Sequence, residues 1–522
     1  MKLLRQLFSR VVLVSLGIAI QLAWLFFIVF YLSAYYLPFA FALNLLSLAA
    51  VVFIINRPGN PQVKMAWIVP ILVFPLFGGI IFLISGGKGP KHKLLRALEE
   101  SGEMLAPYKV SNLDSLLTEA EEGYLVADIP IPREDLYLVG QSRYLARNGF
   151  PAYANTDAAY YADCKAGWER MLRDLESAER FIFMEYFILN PGVMWDPVLE
   201  ILKKKASAGV EVRLIYDDVG SISYLPRKYR QELESYGIRC VAFTPYRPVY
   251  AVVMNHRDHR KIMVIDGNVG YTGGVNFADE YIGEDIRFGE WRDNIIRLEG
   301  EGVRSMTLLF LEMWNANRPT DTREAVAAYM PTPDRSASVR CGGLVQPYGD
   351  SPVDSEILAE NVYLNVINQA TDYVYIYSPY LVLDYEMIRA LSLAARRGVD
   401  VRLVVPAVPD KKIVYELTKS YFPELLENGV KVYKFTPGFV HSKVFLADDR
   451  QAIVGSVNLD YRSLTLHFEN ACMFVDHPVI PSVKADFEET FPRCEPVTVQ
   501  KRRLNVLYDL YLGLLRLFAP LL

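Results

Sequence analysis

Two short stretches of the chain carry the residue types that phosphoryl chemistry requires, in the same order and at the same spacing. Both follow the pattern H-x-K-x-x-x-x-D: His259, Lys261 and Asp266 in the first, and His441, Lys443 and Asp448 in the second. A neutral imidazole is a good nucleophile toward phosphorus, and a lysine supplies a positive charge for the phosphate. A second histidine can protonate the departing alkoxide and then deprotonate the incoming hydroxyl. The paired motifs therefore predict a covalent, two-step transfer at phosphorus.

The spacing within each motif is typical of a buried β-strand. Residues i and i+2 of a strand face the same way, so each histidine shares a face with its lysine. The residues between the lysine and the aspartate, 262–265 and 444–447, are apolar, as in a core strand. The aspartate then falls at the strand end, before a turn. We group all six motif residues as catalytic.

Small and polar residues follow each motif at matching positions: Gly273, Gly274 and Asn276 in the first, and Gly455, Ser456 and Asn458 in the second. Small residues let the backbone approach a phosphate, and an amide can donate to its oxygens. Asp293 and Glu469 lie at comparable places further on, where a carboxylate can hold the other nitrogen of the partner histidine and fix its tautomer. We predict that Gly274, Ser456, Asn276, Asn458, Asp293 and Glu469 support the phosphate or the histidines.

Other polar residues are less clearly assigned. Glu185 and Tyr380 lie at equivalent strand ends and either line the site or pack in the core. His256, three residues before the first motif, is expected to face solvent rather than to support the site. The remaining histidines are interpreted as non-catalytic: His92, His467 and His477. The five cysteines are scattered without a CxxC pair, which predicts buried free thiols and no metal site.

The elements around the motifs occur twice in the same order. Four segments match four later ones: 181–189 with 373–382, 209–221 with 398–410, 237–245 with 429–437, and 259–277 with 441–459. Each copy alternates strands with helices, which predicts an α/β fold with a mostly parallel or mixed sheet and helices outside it. Two such repeats can pack about a pseudo-two-fold and bring both histidines to one phosphate.

The chain therefore divides into a transmembrane region, a linker, a first repeat, a second linker, a second repeat and a C-terminal segment. In that order, the predicted bounds are 1–87, 88–130, 131–320, 321–345, 346–500 and 501–522.

Hydropathy sets the N-terminal region apart. No charged residue occurs from Val11 to Ile55, and the apolar stretches 11–33, 37–55 and 65–85 are each near the ~20 residues that a helix needs to cross a bilayer. We predict a multi-pass protein of the cell membrane, with three spans favoured over two. Basic residues flank the third stretch on both sides, so the sequence does not set which side the repeats face.

The C-terminal segment, 501–522, starts with three basic residues and continues with leucines and aromatics at helical spacing. It is either an amphipathic helix lying in the membrane interface or a helix packed on the catalytic domain. The net charge of the chain is −5, which argues against nucleic acid as a partner.

The paired motifs with their GGxN and GSxN tails resemble the phospholipase D superfamily. Further segments resemble the bacterial cardiolipin synthases, from about residue 37 to the end: AWIVPILVFPLFGGIIFLISG, NHRDHRKIMVIDG, YTGGVNFADEY, WRDN, GFVHSKVFLAD, GSVNLDYRS and FAPLL. The first apolar stretch is a departure, because members of this family usually carry two spans.

The resemblance implies a reversible phosphatidyl transfer between two phosphatidylglycerol molecules through a phosphatidyl-histidine, giving cardiolipin and glycerol. It implies no metal, nucleotide or other cofactor. In related enzymes the N-terminal histidine is often taken as the nucleophile, so His259 is assigned that role and His441 the role of general acid and base.

Several alternatives stay open on the sequence. A hydrolytic phospholipase D would use the same residues with water as acceptor, and another synthase would use a different phospholipid donor or acceptor. A nuclease is disfavoured by the net charge and the apolar stretches, and a lipid-binding scaffold by the intact motifs in both copies. The sequence sets neither acyl-chain preference nor oligomeric state.

Overall fold

A computed structural model describes Ala23 and residues 36–57, 59–82, 91–109, 117–120, 123–126, 129–132, 136–244, 256–318, 326–332, 341–354, 356–498 and 506–521. The chain divides into two compact units. One contains Met1–Lys93, Tyr246–Asn255 and Leu504–Leu522, and the other contains Leu94–Pro245 and His256–Arg503. All the residues predicted for the site belong to the second unit.

The first unit is helical where the structure describes it. Its N-terminal helices are α1 (Tyr36–Ile55), α2 (Pro61–Val73) and α3 (Pro75–Ile81). The side chain of Asn60 caps α2 by accepting a hydrogen bond from the Gln62 N–H. Pro75 separates α2 from α3, because a proline nitrogen cannot donate to the preceding turn. Within the described residues, no helix combines the length and the apolar character needed to cross a membrane.

This finding differs from the predicted spans. The stretch 37–55 forms α1, whereas the stretch 65–85 is divided between α2 and α3 at Pro75, and its last residues lie outside the described part of the chain. The first predicted span, 11–33, lies outside the described residues except for Ala23.

The segment predicted as a linker, 88–130, is folded where the structure describes it. It contains α4 (Lys91–Leu105), and strands β1 (Leu117–Ala120), β2 (Gly123–Val126) and β3 (Ile129–Pro132) form an antiparallel meander. The next helix, α5 (Leu136–Arg147), was predicted within the first repeat. It hydrogen-bonds instead to the second repeat, where Asn365 donates to Gln141 at 2.7 Å and Gln346 donates to the Ser142 carbonyl at 3.1 Å.

The first repeat forms a mixed sheet with helices beside it. Its elements are β4 (Thr156–Tyr161), α6 (Cys164–Glu176), β5 (Phe181–Tyr186), α7 (Trp195–Ser207), β6 (Glu211–Asp217), α8 (Asp218–Ser221), α9 (Tyr229–Ser235), β7 (Arg239–Phe243), β8 (Arg257–Asp258), β9 (Lys261–Ile265), β10 (Val269–Gly273), β11 (Glu290–Arg292), β12 (Ile295–Gly300) and α10 (Val303–Asn317). The sheet order is β4-β12-β10-β9-β5-β6-β7, with β5, β6 and β7 parallel and the other neighbours antiparallel.

The second repeat has the same plan. Its elements are β13 (Leu344–Asp350), α11 (Leu358–Gln369), β14 (Tyr373–Tyr377), β15 (Leu381–Val382), α12 (Tyr385–Arg396), β16 (Asp400–Pro406), α13 (Lys412–Glu427), β17 (Lys431–Phe435), β18 (Gly438–Val440), β19 (Val444–Ala447), β20 (Gln451–Gly455), β21 (Leu459–Asp460), α14 (Tyr461–Thr465), β22 (His467–Val475), α15 (Ile480–Thr490) and β23 (Cys494–Pro496). The order is β13-β22-β20-β19-β14-β16-β17-β23, with β14, β16 and β17 parallel. A last helix, α16 (Val506–Phe518), belongs to the first unit.

A shared apolar core joins the two repeats. Alternate residues of β5 point to opposite faces, so Phe183 enters this core while Met184 packs in a separate cluster on the other face of the sheet. Phe183 stacks on Phe310 of α10 with ring centroids 4.6 Å apart. Buried residues of the second sheet, including Val454 and Phe474, belong to the same cluster. The predicted mixed α/β fold with two repeats is therefore confirmed, and each repeat presents one sheet face to the other.

Candidate active site

The two motifs lie where strands of the two repeats pair with each other. Strand β8, just before His259, pairs in parallel with the start of β22, and the His259 N–H donates to the Phe468 carbonyl at 2.9 Å. Strand β18, just before His441, pairs in parallel with β11, and the His441 N–H donates to the Arg292 carbonyl at 2.7 Å. The contacts are reciprocal, as a pseudo-two-fold relation requires, so each motif is held by backbone of the other repeat.

Each histidine ring meets a buried carboxylate from the opposite repeat. Nδ1 of His259 lies 2.9 Å from both carboxylate oxygens of Glu469, and Nδ1 of His441 lies 2.6 Å from Oδ2 of Asp293. Both carboxylate side chains are fully buried. A carboxylate on Nδ1 favours the tautomer with its proton there, which leaves the Nε2 lone pair for chemistry.

The motif lysines are buried beside the histidines. Nζ of Lys261 donates to the His259 carbonyl at 2.5 Å, and Nζ of Lys443 donates to the His441 carbonyl and lies 2.8 Å from Nδ1 of His441. Burial lowers the pKa of Lys261 to about 8 and that of Lys443 to about 7, against the opposing effect of the nearby carboxylates. A bound phosphate would favour the charged lysines.

The surroundings favour the neutral form of both imidazoles. Burial, together with the Lys261 charge, lowers the pKa of His259 well below its usual value, and the Lys443 charge acts in the same direction. Burial and the Lys443 charge lower the pKa of His441 to about 4, although Asp293 opposes them. The mutual influence of the two motifs reflects their closeness in one low-dielectric site, and the neutral form is the one that can attack phosphorus.

Gly274 and Ser456 lie against the carboxylates. A Cβ added to Gly274 would come within 2.0 Å of Oδ1 of Asp293, so this acid occupies space that only glycine leaves. The Ser456 hydroxyl donates to Glu469 at the equivalent place. Gly274 and Ser456 thus help to place the two carboxylates, which in turn orient the histidines.

The two predicted amide ligands have different surroundings. Both polar atoms of the Asn276 side chain have partners within the protein. Its Oδ1 accepts from the Ile188 N–H at 3.1 Å, and its Nδ2 donates to the Tyr281 hydroxyl at 2.7 Å. Oδ1 of Asn458 is buried and has no hydrogen-bond partner among the described residues. The described residues thus leave a buried acceptor of Asn458, and not a buried N–H donor, for a ligand.

The structure does not bring Asp266 and Asp448 to the histidines, although the sequence grouped them as catalytic. Four strand residues, and so five steps of about 3.3 Å, lie between each motif lysine and its aspartate, which places their backbones roughly 16 Å apart. Their carboxylates accept backbone N–H groups just before or at the start of β5 and β14: Glu179, Arg180 and Phe181 at 2.9, 2.7 and 2.9 Å, and Thr371, Asp372 and Tyr373 at 2.7, 3.0 and 2.8 Å. Both adopt left-handed backbone, with φ of 53° and 52°. They fasten the motif strand to its neighbour.

The other candidates fall outside the reacting centre. Glu185 is fully buried beside Asp258 and Arg260, which fits the core-packing interpretation. The Tyr380 hydroxyl donates to Asp410 at 2.6 Å. Nδ1 of His256 lies 3.1 Å from the Leu466 carbonyl.

His467 is the residue that sequence reasoning missed. Its ring centroid lies 5.5 Å from that of His259, and its Nδ1 lies 3.5 Å from Oε1 of Glu469. Trp291 holds the corresponding place beside His441, with centroids 5.3 Å apart. His467 and Glu469 are two residues apart on β22, so the same-face rule that paired histidine with lysine in each motif also indicates this neighbour.

Two groups of side chains in the described part of the chain have a geometry that could hold a metal ion. One comprises His259, His467 and Glu469, whose donor atoms lie within 4.8 Å of one another, and the other comprises Glu360, Asp384 and Glu386. The sequence predicted no metal because the cysteines have no metal-binding spacing, and that argument does not address histidines brought together by the fold.

Known families match most of this architecture. The family described as cardiolipin synthase, phospholipase D-like domain, matches residues 171–289 and 363–491, which hold both motifs. The family described as phospholipase D-nuclease N-terminal matches residues 45–87.

Individual relatives match over nearly their whole length. An uncharacterised protein of Streptococcus mutans serotype c is 41% identical over 477 residues, which are 91% of this chain and 100% of that protein. Cardiolipin synthase of Halalkalibacterium halodurans is 33% identical over 478 residues, which are 90% of this chain and 91% of that one. The crystal structure of phosphatidylserine synthase from Haemophilus influenzae has a TM-score of 0.53 at 14% identity, over 73% of this chain and 98% of that one, and supports the fold alone.

Two phospholipase D-like repeats that share one histidine-bearing site define a phosphatidyltransferase of the phospholipase D superfamily. Within that class, the chain belongs to the cardiolipin synthase family.

Proposed function

We propose that this enzyme transfers a phosphatidyl group from one phosphatidylglycerol to another and thereby forms cardiolipin and glycerol. The observation that carries the proposal is the crosswise pairing of each motif histidine with a carboxylate of the other repeat. This pairing supports two imidazoles with defined tautomers acting in one buried site.

In the first step, the Nε2 lone pair of His259 attacks phosphorus and the bond from phosphorus to the glycerol oxygen breaks. The leaving oxygen takes a proton from His441, whose protonated form is favoured once the phosphodiester anion is bound nearby. Lys261 and Lys443 are placed to stabilise the charge on the phosphoryl oxygens. The product of this step is a phosphatidyl-histidine.

In the second step, a hydroxyl of the second phosphatidylglycerol gives its proton to His441 and attacks phosphorus. The bond between phosphorus and His259 breaks, and the neutral imidazole is restored. The second step is the reverse of the first with a different alcohol, so the transfer is reversible. Water in place of the second lipid would give phosphatidic acid, and burial of the site supports transfer over hydrolysis.

We also propose that the first unit attaches the enzyme to the cell membrane. Its described helices expose large apolar side chains, among them Phe41 (71% exposed) and Leu46 (67%) of α1 and Leu507 (79%) of α16. Exposed apolar patches of this kind are typical of membrane or protein contact sites. A multi-pass arrangement stays a prediction from the hydropathy of 11–33, 37–55 and 65–85.

The proposal is tested by expressing the protein in bacterial cells that lack cardiolipin and analysing their lipids by mass spectrometry. We expect new cardiolipin, which disappears in His259→Ala and His441→Ala but persists in the control His256→Ala. Phosphatidic acid without cardiolipin would instead identify a hydrolase.

The order of the two histidines is tested separately. His441→Ala lacks both the acid of the first step and the base of the second, so it is given a phosphatidyl donor whose p-nitrophenol leaving group departs without a proton. A phosphatidyl group should then accumulate on His259 and be found by mass spectrometry of the protein. An adduct on the other histidine, seen in His259→Ala, would reverse the two roles.

A further inference from the structure

His467 has no task in the transfer chemistry, yet its ring lies 5.5 Å from that of His259, between centroids. Its side chain is 10% exposed, and neither ring nitrogen has a hydrogen-bond partner among the described residues. Buried imidazoles ordinarily hydrogen-bond through at least one nitrogen. An unpaired buried imidazole beside the active-site pair of His259 and Glu469 therefore indicates a ligand that the site can accept.

The neighbours of His467 define the chemistry of that ligand. Two imidazoles and a carboxylate, with a fourth position open, are the donor set of many zinc sites. Donors around a tetrahedral zinc ion lie about 3.3 Å apart, given metal–ligand distances of about 2.0–2.1 Å. Glu469 lies 2.9 Å from Nδ1 of His259 and 3.5 Å from Nδ1 of His467, values that bracket this spacing. All three donor atoms lie within 4.8 Å of one another, so small side-chain rotations close the set.

The other repeat provides an internal comparison. Asp293 stands by His441 as Glu469 stands by His259, but the residue two positions before Asp293 is Trp291. An indole offers only an N–H donor and no lone pair for a metal. The His259 side therefore has three potential metal ligands, whereas the His441 side has two.

We propose that His259, His467 and Glu469 form a binding site for a divalent ion of the zinc type, and that the bound ion inhibits the enzyme. The ion takes Nδ1 of His259, whose proton is released to solvent, and one oxygen of Glu469. The imidazole then loses the carboxylate that sets its tautomer, and the cation withdraws electron density from the attacking nitrogen. The inhibition rests on the proposed function of His259, whereas the binding does not.

Binding is measured on the purified full-length protein in detergent. Zinc retained after desalting is counted by mass spectrometry, and Co²⁺ is used as a probe because tetrahedral sites give it a strong visible absorption. We expect one tightly bound ion per chain, and loss of both signals in His467→Phe. The control His256→Phe should keep both. Equal binding by His467→Phe and the parent would overturn the site.

A gain-of-site variant covers the case in which His467→Phe does not fold. Trp291→His places a second imidazole beside His441 and Asp293, so we expect a second bound Co²⁺ per chain. A single ion in this variant, with unchanged absorption, would contradict the comparison of the two halves.

Inhibition is measured as the zinc concentration that halves phosphatidyl transfer, with each variant normalised to its own rate without metal. We expect this concentration to rise at least tenfold in His467→Phe and to stay unchanged in His256→Phe. Bound zinc without inhibition would overturn the inhibitory role and would count against His259 as a reacting group, while leaving the binding site intact.

Discussion

The Asp293 carboxylate is 2.6 Å from Nδ1 of His441 and decides which ring nitrogen carries the proton. We expect Asp293→Asn to lower kcat by about 10²- to 10⁴-fold with a smaller change in KM, because an amide can favour the wrong tautomer while keeping the shape of the site. Steady-state kinetics in mixed micelles check this result. Asp157→Asn, an exposed aspartate of the same repeat, is the control, and a kcat for Asp293→Asn equal to the control would refute the role of the carboxylate.

Asp266 has a different function from its motif partners. Its carboxylate accepts three backbone N–H groups near the start of β5, so Asp266→Ala leaves those donors without their partner. We expect the free energy of unfolding, measured with urea, to fall by at least about 4 kcal/mol, since three hydrogen bonds to a charged group are lost and each contributes about 1.5–3 kcal/mol. The rate per folded molecule should stay within a few-fold of the parent. A stable but inactive variant would return this residue to the catalytic group.

The buried ammonium of Lys443 makes stability depend on pH. Its pKa is about 7 in the folded protein, whereas an unfolded lysine titrates near 10.4. Between these values the unfolded chain holds a proton that the folded chain has released, so the free energy of unfolding rises with pH, by up to about 1.4 kcal/mol per pH unit for one group. Unfolding by urea from pH 7 to 10 should show a smaller rise in Lys443→Met than in the parent. Parallel curves would mean that the lysine keeps an ordinary pKa.

At the scale of elements, the parallel pairing of β11 with β18 positions the His441 half of the site. Gly438 lies so close to β11 that an added Cβ would come within 2.2 Å of the Glu290 carbonyl. We expect Gly438→Ala to push the strands apart and lower kcat at least tenfold, since Asp293 directly follows β11 and His441 directly follows β18. Gly140→Ala on α5 is the matched control, because nothing lies within 4 Å of its added Cβ. Equal activity of the two variants would contradict the need for this close pairing.

Much of this architecture is predictable from local pattern. Strand periodicity predicts that His259 and Lys261 share a face, and the structure places them just before β9 and at its first residue. The repeated segments predict two α/β units of similar plan. The carboxylates Asp293 and Glu469 could be named because they occupy equivalent places after the motifs. These signals all act over a few residues or between aligned copies.

The rest depends on contacts between distant parts of the chain. Whether Asp293 meets the histidine of its own repeat or the other one depends on how the repeats pack, which no periodicity records. The same holds for α5, which is adjacent in sequence to the first repeat and hydrogen-bonds to the second. Asp266 lies at the other end of its strand from the histidine, and a motif shows which residues occur together but not which end of a strand meets the substrate. The neighbour of His259, His467, was overlooked although its strand spacing indicated it.

At the scale of the whole molecule, the exposed leucines of α16 bear on where the enzyme works. We expect replacement of Leu507, Leu510 and Leu514 by serine to weaken co-sedimentation with phosphatidylglycerol vesicles, by about tenfold per leucine that enters the bilayer. Serine at Tyr385 and Ile413, exposed apolar residues of the second repeat, is the control. Unchanged co-sedimentation of the α16 variant would remove this helix from membrane attachment.

Each histidine is oriented by an acid that the other half of the gene encodes, so neither half encodes a complete pair. A protein with a single such half would work only as two subunits that exchange these acids. Joining the halves in one polypeptide frees them to become unlike each other, as Asp293 beside Trp291 and Glu469 beside His467 already are. A substitution beside the acid in one half therefore changes the reactivity of the histidine in the other half.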